Sequence, residues 1–249
     1  MKQASGWRHW VGGIRLYIAI ASLLASAEIA LWCRLAYGDN PSLVLMRSQQ
    51  FYAWLAIGLL AFALTIGPVY KLFPDLGGKF LMRDARRLIG ISGAWFASLH
   101  VAIAYVTQYG GSDTSVVSAF TNRSSLLGLG ALLILLALAF TSFDRAIRDM
   151  GIWWFRLHRL IYTAGFLSVL HAFMIGTHAS TLPALLAVCA TMLALLICHV
   201  TVALRQPKPS SWQWLTITVA FLLLIVIGNY GVQRYTERVI LTTAGHSHQ

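Results

Sequence analysis

Seven stretches of roughly 20 mostly apolar residues follow one another along this chain with only short polar connections between them. No other feature restricts its fold as strongly. A helix rises about 1.5 Å per residue, so each stretch matches the roughly 30 Å of hydrocarbon in a bilayer. Lipid cannot hydrogen-bond a peptide group, so each run must satisfy its own backbone, as a helix does. The spans fall near residues 14–36, 50–70, 88–109, 124–142, 155–176, 182–204 and 212–232. The expected fold is an all-α integral membrane protein, a bundle of about seven transmembrane helices. Three segments follow: 1–49 with the first helix, 50–205 as the core, and 206–249 with the seventh helix and a tail.

The composition agrees, with 58% hydrophobic and 11% charged residues against about a quarter charged in soluble domains. The connections carry turn chemistry at Gly38-Asp39-Asn40-Pro41, Phe73-Pro74-Asp75, Gly110-Gly111 and Pro207-Lys208-Pro209. Cys33, Cys189 and Cys198 lie inside apolar runs without metal or redox spacing and read as packing residues. The N-terminal run has full spanning length and reads as a retained helix, not a cleaved signal.

A formal charge of +11 in a soluble protein would suggest nucleic acid. Here the basic residues sit in short loops beside apolar spans, where they set orientation, and no nucleic-acid partner is expected. Fourteen Lys and Arg fall on one side, from Lys2 through Arg86, Arg87 and Arg159 to Lys208. Arg34, Arg47, Arg123, Arg234 and Arg238 fall on the other. This asymmetry places the N-terminus in the cytoplasm and the C-terminus outside.

Polar groups at membrane depth are costly and are functional candidates by default. Four histidines meet that description: His100 in span three, His158 and His171 in span five, and His199 in span six. A lone intramembrane histidine commonly just hydrogen-bonds a neighbouring helix. A set spread over several helices points to a cofactor, because two imidazoles on facing helices can clamp a heme iron with no free coordination site. His100 and His171 share the outer half, whereas His158 and His199 share the inner half and form a second candidate pair. Residues 158 and 171 lie about 140° apart around an ideal helix. Either Gly165 bends the span or the two sites lie on different sides of it. Glu28 is the acid within span one, read as snorkelling to the interface or as a proton or quinone contact.

The runs Arg86-Arg87-Leu88-Ile89-Gly90 with Leu99-His100, Leu138-Ala139-Phe140-Thr141-Ser142, Trp154-Phe155-Arg156-Leu157-His158-Arg159-Leu160-Ile161-Tyr162, and Leu170-His171 carry a resemblance. Over roughly residues 50–205 the chain resembles the ferric-reductase-like transmembrane domain family. Within it, the chain is most similar to heme-binding membrane subunits that feed a periplasmic methionine sulfoxide reductase. The resemblance implies a six-helix core carrying heme b, one or two per chain, ligated by His100, His158 and His171. Arg86, Arg87 and Arg159 are candidates to pair with heme propionates, since guanidinium binds carboxylates bidentately. It implies electrons entering on the cytoplasmic side from quinol or a flavin reductase, with quinone or FMN as further cofactors. They would leave for a periplasmic redox partner holding a molybdenum cofactor. In that family an inner histidine is expected on span three, but the position near Arg86 and Arg87 has none, and His199 is the candidate to complete an inner site. The alternative from another class is a non-redox transporter or assembly subunit whose histidines pack or relay protons.

Overall fold

The computed structural model describes residues 6–75, 79–110, 122–175 and 182–205 and isolated helical positions between Ile217 and Thr236; within these, side chains are described at 16–75, 84–108, 110, 122–175, 189–205 and the isolated positions. Among the described residues every regular element is an α-helix: α1 (Gly6–Tyr37), α2 (Pro41–Leu72), α3 (Lys79–Tyr109), α4 (Arg123–Phe140), α5 (Asp144–Met150), α6 (Ile152–His158), α7 (Leu160–Ile175) and α8 (Leu182–Leu204). Five stretches are long and apolar enough to cross a membrane: Leu16–Tyr37, Pro41–Leu72, Asp84–Gln108, Arg123–Phe140 and Ile152–Ile175. The chain is a multi-pass, all-α membrane protein. Of the expected seventh span, the described positions are helical and Ile217 is buried with Leu196 and Ala203 of α8. The rest of that span, His178 and the tail lie outside the described residues.

Three helices begin well before the sequence expectation, α1 at Gly6 instead of 14 among them. α2 starts at Pro41 instead of 50, because Asn40 caps it by accepting from the Leu43 amide and proline suits the first turn. The polar run Arg47-Ser48-Gln49-Gln50 interrupts hydropathy but not the helix, so α2 runs through the expected segment boundary at 49/50. α3 starts at Lys79 instead of 88 for the same reason: Arg83 to Arg87 are polar but helix-compatible. Span five is broken at Arg159, between α6 and α7, where the chain tightens into i to i+3 hydrogen bonds. α7 continues through Gly165, which faces Leu60 and Leu64.

The frame is four helices, α2, α3, α4 and α7. α2 packs along α3, α4 packs along α7, α3 contacts α4, and α2 contacts α7. Leu60, Leu64, Ala94, Leu135 and Ala164, one or two from each helix, form the central core. α1 lies on α2 and α3, and α8 lies on α2. α1 is joined to the frame by polar contacts suited to lipid: Ser22 Oγ to Ser92 Oγ at 2.7 Å, Trp95 Nε1 to Ser26 Oγ at 2.9 Å, and Tyr52 hydroxyl to the Ser26 carbonyl at 2.8 Å. Glu28 is exposed on α1, away from that packed face.

The basic end of the bundle is cross-linked. Arg87 bonds Asp84 at 2.6 Å and Asp144 at 3.0 Å, tying α3 to α5. Arg205 donates to the Leu72 carbonyl at 3.0 Å, tying the end of α8 to that of α2. Asp84 is buried, so removing Arg87 strands a carboxylate. Arg87→Ala is expected to destabilise the protein toward the lower end of the about 3–5 kcal/mol typical of broken buried pairs. Arg145→Ala, which breaks the exposed 3.6 Å pair with Asp149, should stay within about 1 kcal/mol. Thermal unfolding in detergent measures both, and equal melting temperatures for the two variants would contradict the ranking.

Candidate functional site: a facing histidine pair

At the opposite end of the frame, His100 of α3 and His171 of α7 face each other. Their ring centres are 6.2 Å apart and their planes cross at 81°. Each ring is anchored by a helix that does not carry it. His100 Nδ1 lies 3.0 Å from the Gln49 carbonyl oxygen of α2. His171 Nδ1 lies 2.6 Å from the Ser124 carbonyl oxygen of α4. A carbonyl only accepts, so both Nδ1 atoms carry the proton and donate. Each Nε2 is then left with an in-plane lone pair, the form in which imidazole binds a metal. A carbonyl on the far nitrogen is also the usual second-shell partner of a metal-bound histidine.

The anchors are themselves held. Asn122 caps α4, its Oδ1 accepting from the Ser124 amide at 3.0 Å and the Ser124 hydroxyl at 2.8 Å. Gln49 is buried, and Thr107 Oγ1 lies 3.2 Å from its Oε1, one contact further along α3 from His100. Gly128 lies beneath His171, and a Cβ there would come within 2.6 Å of Cε1 and 2.7 Å of Nδ1.

The donor set passes a test for heme. An iron–nitrogen bond of about 2.0 Å and about 1.1 Å from nitrogen to ring centre put two axial imidazole centres about 6 Å apart across one iron. The observed 6.2 Å fits that requirement. It is too long for a direct hydrogen bond between the rings.

The inner candidates are disposed differently. His158 stacks on Trp154 with ring centres 3.8 Å apart, its Nδ1 donates to the Trp154 carbonyl at 3.1 Å, and its Nε2 lies 3.3 Å from Ser142 Oγ. His199 meets the ring of Tyr162 edge-on at 5.7 Å. Each ring therefore has its own aromatic partner, and α8 packs on α2 while also meeting α7 at Tyr162 and Phe173. Arg86 is half-buried against Gly67 and its charge reaches His158, Tyr162 and His199, joined by Arg87 at His158, Arg159 at Tyr162 and Lys71 at His199. Arg87 is engaged by its two carboxylates, and Arg159 is exposed at the break between α6 and α7.

Sequence reasoning reached the histidines but not Gln49, Ser124 or Gly128. Two of these act through a backbone carbonyl, which any residue possesses. The third leaves only the weak signal of a glycine within an apolar helix.

The family described as ferric reductase like transmembrane component matches residues 52–169. The chain is 29% identical over 203 residues to the protein-methionine-sulfoxide reductase heme-binding subunit MsrQ of Yersinia enterocolitica, covering 79% of this chain and 94% of that protein. It is 33% identical to the MsrQ of Bordetella pertussis over 167 residues, 65% of this chain and 76% of the relative. The MsrQ of Cronobacter sakazakii is 36% identical over 125 residues, 49% of this chain and 60% of the relative. No solved structure matches. With its four-helix frame and a third of the aligned residues identical over 76% of the Bordetella relative, the chain belongs to the ferric-reductase-like transmembrane family, in the group that contains the MsrQ proteins.

Proposed function

We propose that this chain is a membrane electron-transfer subunit that holds heme b between His100 and His171. The observation that carries the reading is the pair of imidazoles 6.2 Å apart with both Nδ1 atoms committed to carbonyls. Heme held by His100 and His171 would supply a one-electron couple, and two imidazole donors suit it to electron transfer and not to oxygen binding. The protein's part is to present two neutral Nε2 donors, hold their rings and exclude water with the Leu and Ala core beneath them. The MsrQ relatives are named as heme-binding subunits, which supports the same reading.

The charge asymmetry supports a direction. With the basic end in the cytoplasm, the His100–His171 pair lies toward the periplasm of an inner membrane, where a methionine sulfoxide reductase or similar redox partner would accept electrons. The donor side is the end with Arg86, Tyr162 and His199, where quinol or a cytoplasmic flavin reductase would deliver them. Tyr162 and His199 offer hydrogen-bonding groups and Arg86 a cation, the groups that bind a quinone carbonyl or an anionic flavin. One heme per chain is proposed, with His158 and His199 serving the donor side through their aromatic partners.

A dithionite-reduced minus oxidised spectrum of the purified protein should show b-type bands. His100→Ala and His171→Ala should each abolish the low-spin signal, and His199→Ala should retain full heme content. A heme-replete preparation without those bands removes the redox reading. Loss of one of two hemes in His199→Ala would instead place a ligand at that residue.

Orientation is checked separately. Reporter fusions near Ser42 and Lys79 should read outside and inside respectively. The reverse pattern would overturn the direction of transfer while leaving the heme site untouched.

A further inference from the structure

Gly128 and Ser124 are one helical turn apart on α4 and meet the same ring. In a helix the side chain at i+4 shields the carbonyl of residue i, so at most positions an imidazole cannot reach that oxygen. Gly128 is the i+4 residue of Ser124. Its missing side chain opens the Ser124 carbonyl to His171 Nδ1, which approaches to 2.6 Å. The same absence lets the ring lie against the α4 backbone, since a Cβ would fall 2.6 Å from Cε1, 2.7 Å from Nδ1 and 3.0 Å from Nε2. Two contacts under 3.0 Å and a third at 3.0 Å, all to atoms of one ring, force the whole ring to move, not merely one flexible end.

His100 is held by the other diagonal. Its Nδ1 reaches the Gln49 carbonyl on α2, whose i+4 neighbour is the small residue Ala53. The two rings thus take their planes from two different helices, and the planes cross at 81°. For a low-spin ferric heme the angle between axial imidazole planes controls how far two iron d orbitals split. Near-perpendicular planes leave them almost degenerate and give a strongly anisotropic electron paramagnetic resonance signal with one large g value. Near-parallel planes give a rhombic three-line signal.

We propose that Gly128 is a positioning residue that fixes the His171 imidazole plane perpendicular to that of His100, and so sets the electronic character of the heme they ligate. The proposal rests on the reading of this pair as heme ligands. Gly128 itself touches the ligand ring and not the iron. Its effect is therefore on ligand orientation and on the carbonyl hydrogen bond, which also tunes ligand basicity.

The test is electron paramagnetic resonance of the purified ferric protein, with heme content measured alongside. The wild type should give the anisotropic signal. Gly128→Ala should shift the largest g value down toward the rhombic form, with the midpoint potential moving as well. Gly130→Ala is the control, because a Cβ there meets only Leu167 Cδ1 at an ordinary 3.6 Å, and it should reproduce the wild-type signal. If Gly128→Ala does not retain heme, Asn122→Ala supplies the graded change. It releases the cap that holds Ser124 without adding an atom beside His171, and it too should shift the signal. A rhombic wild-type signal, or an unshifted signal in a heme-loaded Gly128→Ala or Asn122→Ala protein, overturns the proposal. A wild type with no heme fails the underlying reading instead, so the two failures are distinct.

Discussion

A neutral imidazole within a bilayer must place two ring nitrogens, one donor and one acceptor, where no water is at hand. This chain resolves the first half with backbone carbonyls of neighbouring helices. His100 donates to Gln49 of α2 and His171 to Ser124 of α4, so both rings are held in one tautomer before any ligand is considered. An unsatisfied polar group at this depth costs several kcal/mol, which makes the two bonds a constraint on helix placement and not only on ring placement. The helices that carry the histidines and those that anchor them must keep their mutual positions for either bond to survive. The four-helix frame follows from that requirement.

The two ends of the frame are built from different chemistry. The histidine end relies on neutral groups: carbonyls, the Asn122 cap, Gln49 and Thr107. The other end relies on charge, with Arg87 shared between Asp84 and Asp144 and Arg205 reaching the Leu72 carbonyl. Arg87 is engaged by two carboxylates and holds α3 to α5, whereas Arg86 beside it lies against Gly67 and is the cation common to His158, Tyr162 and His199. Arg87, Arg159 and Lys71 add to the positive field there, at His158, Tyr162 and His199 respectively.

The sequence made the membrane class and the histidines legible because both leave strong local signals: a run of apolar residues, and a polar residue inside it. Depth could be counted along each helix, so the shared level of His100 and His171 was readable as well. Lateral placement was not. α8 reaches both α2 and α7, yet His199 meets Tyr162 and His158 meets Trp154, pairings that depend on rotation of each helix about its axis and not on depth. Helix starts were misplaced for a related reason. Arg47 to Gln50 and Arg83 to Arg87 lower hydropathy where the helix continues, while the marks of the true start of α2, the Asn40 cap and Pro41, read only as turn chemistry.

The stretch that matches the ferric reductase family, residues 52–169, coincides with this frame. It begins within α2, takes in α3 and α4, and ends near the close of α7, two residues before His171. α1 and α8 lie outside it and pack on the frame's surface, α1 through the serine contacts with Tyr52, Ser92 and Trp95. Neither contributes a side chain to the bonds that anchor His100 and His171. Gln49 lies just before the matched stretch, but its part in the site is a main-chain oxygen, and the helix supplies that oxygen at that height whichever side chain the position carries. The ligand geometry therefore depends on where α2 and α4 sit relative to α3 and α7, while α1, α8 and the helical positions beyond Ile217 can meet the lipid or a partner without disturbing it.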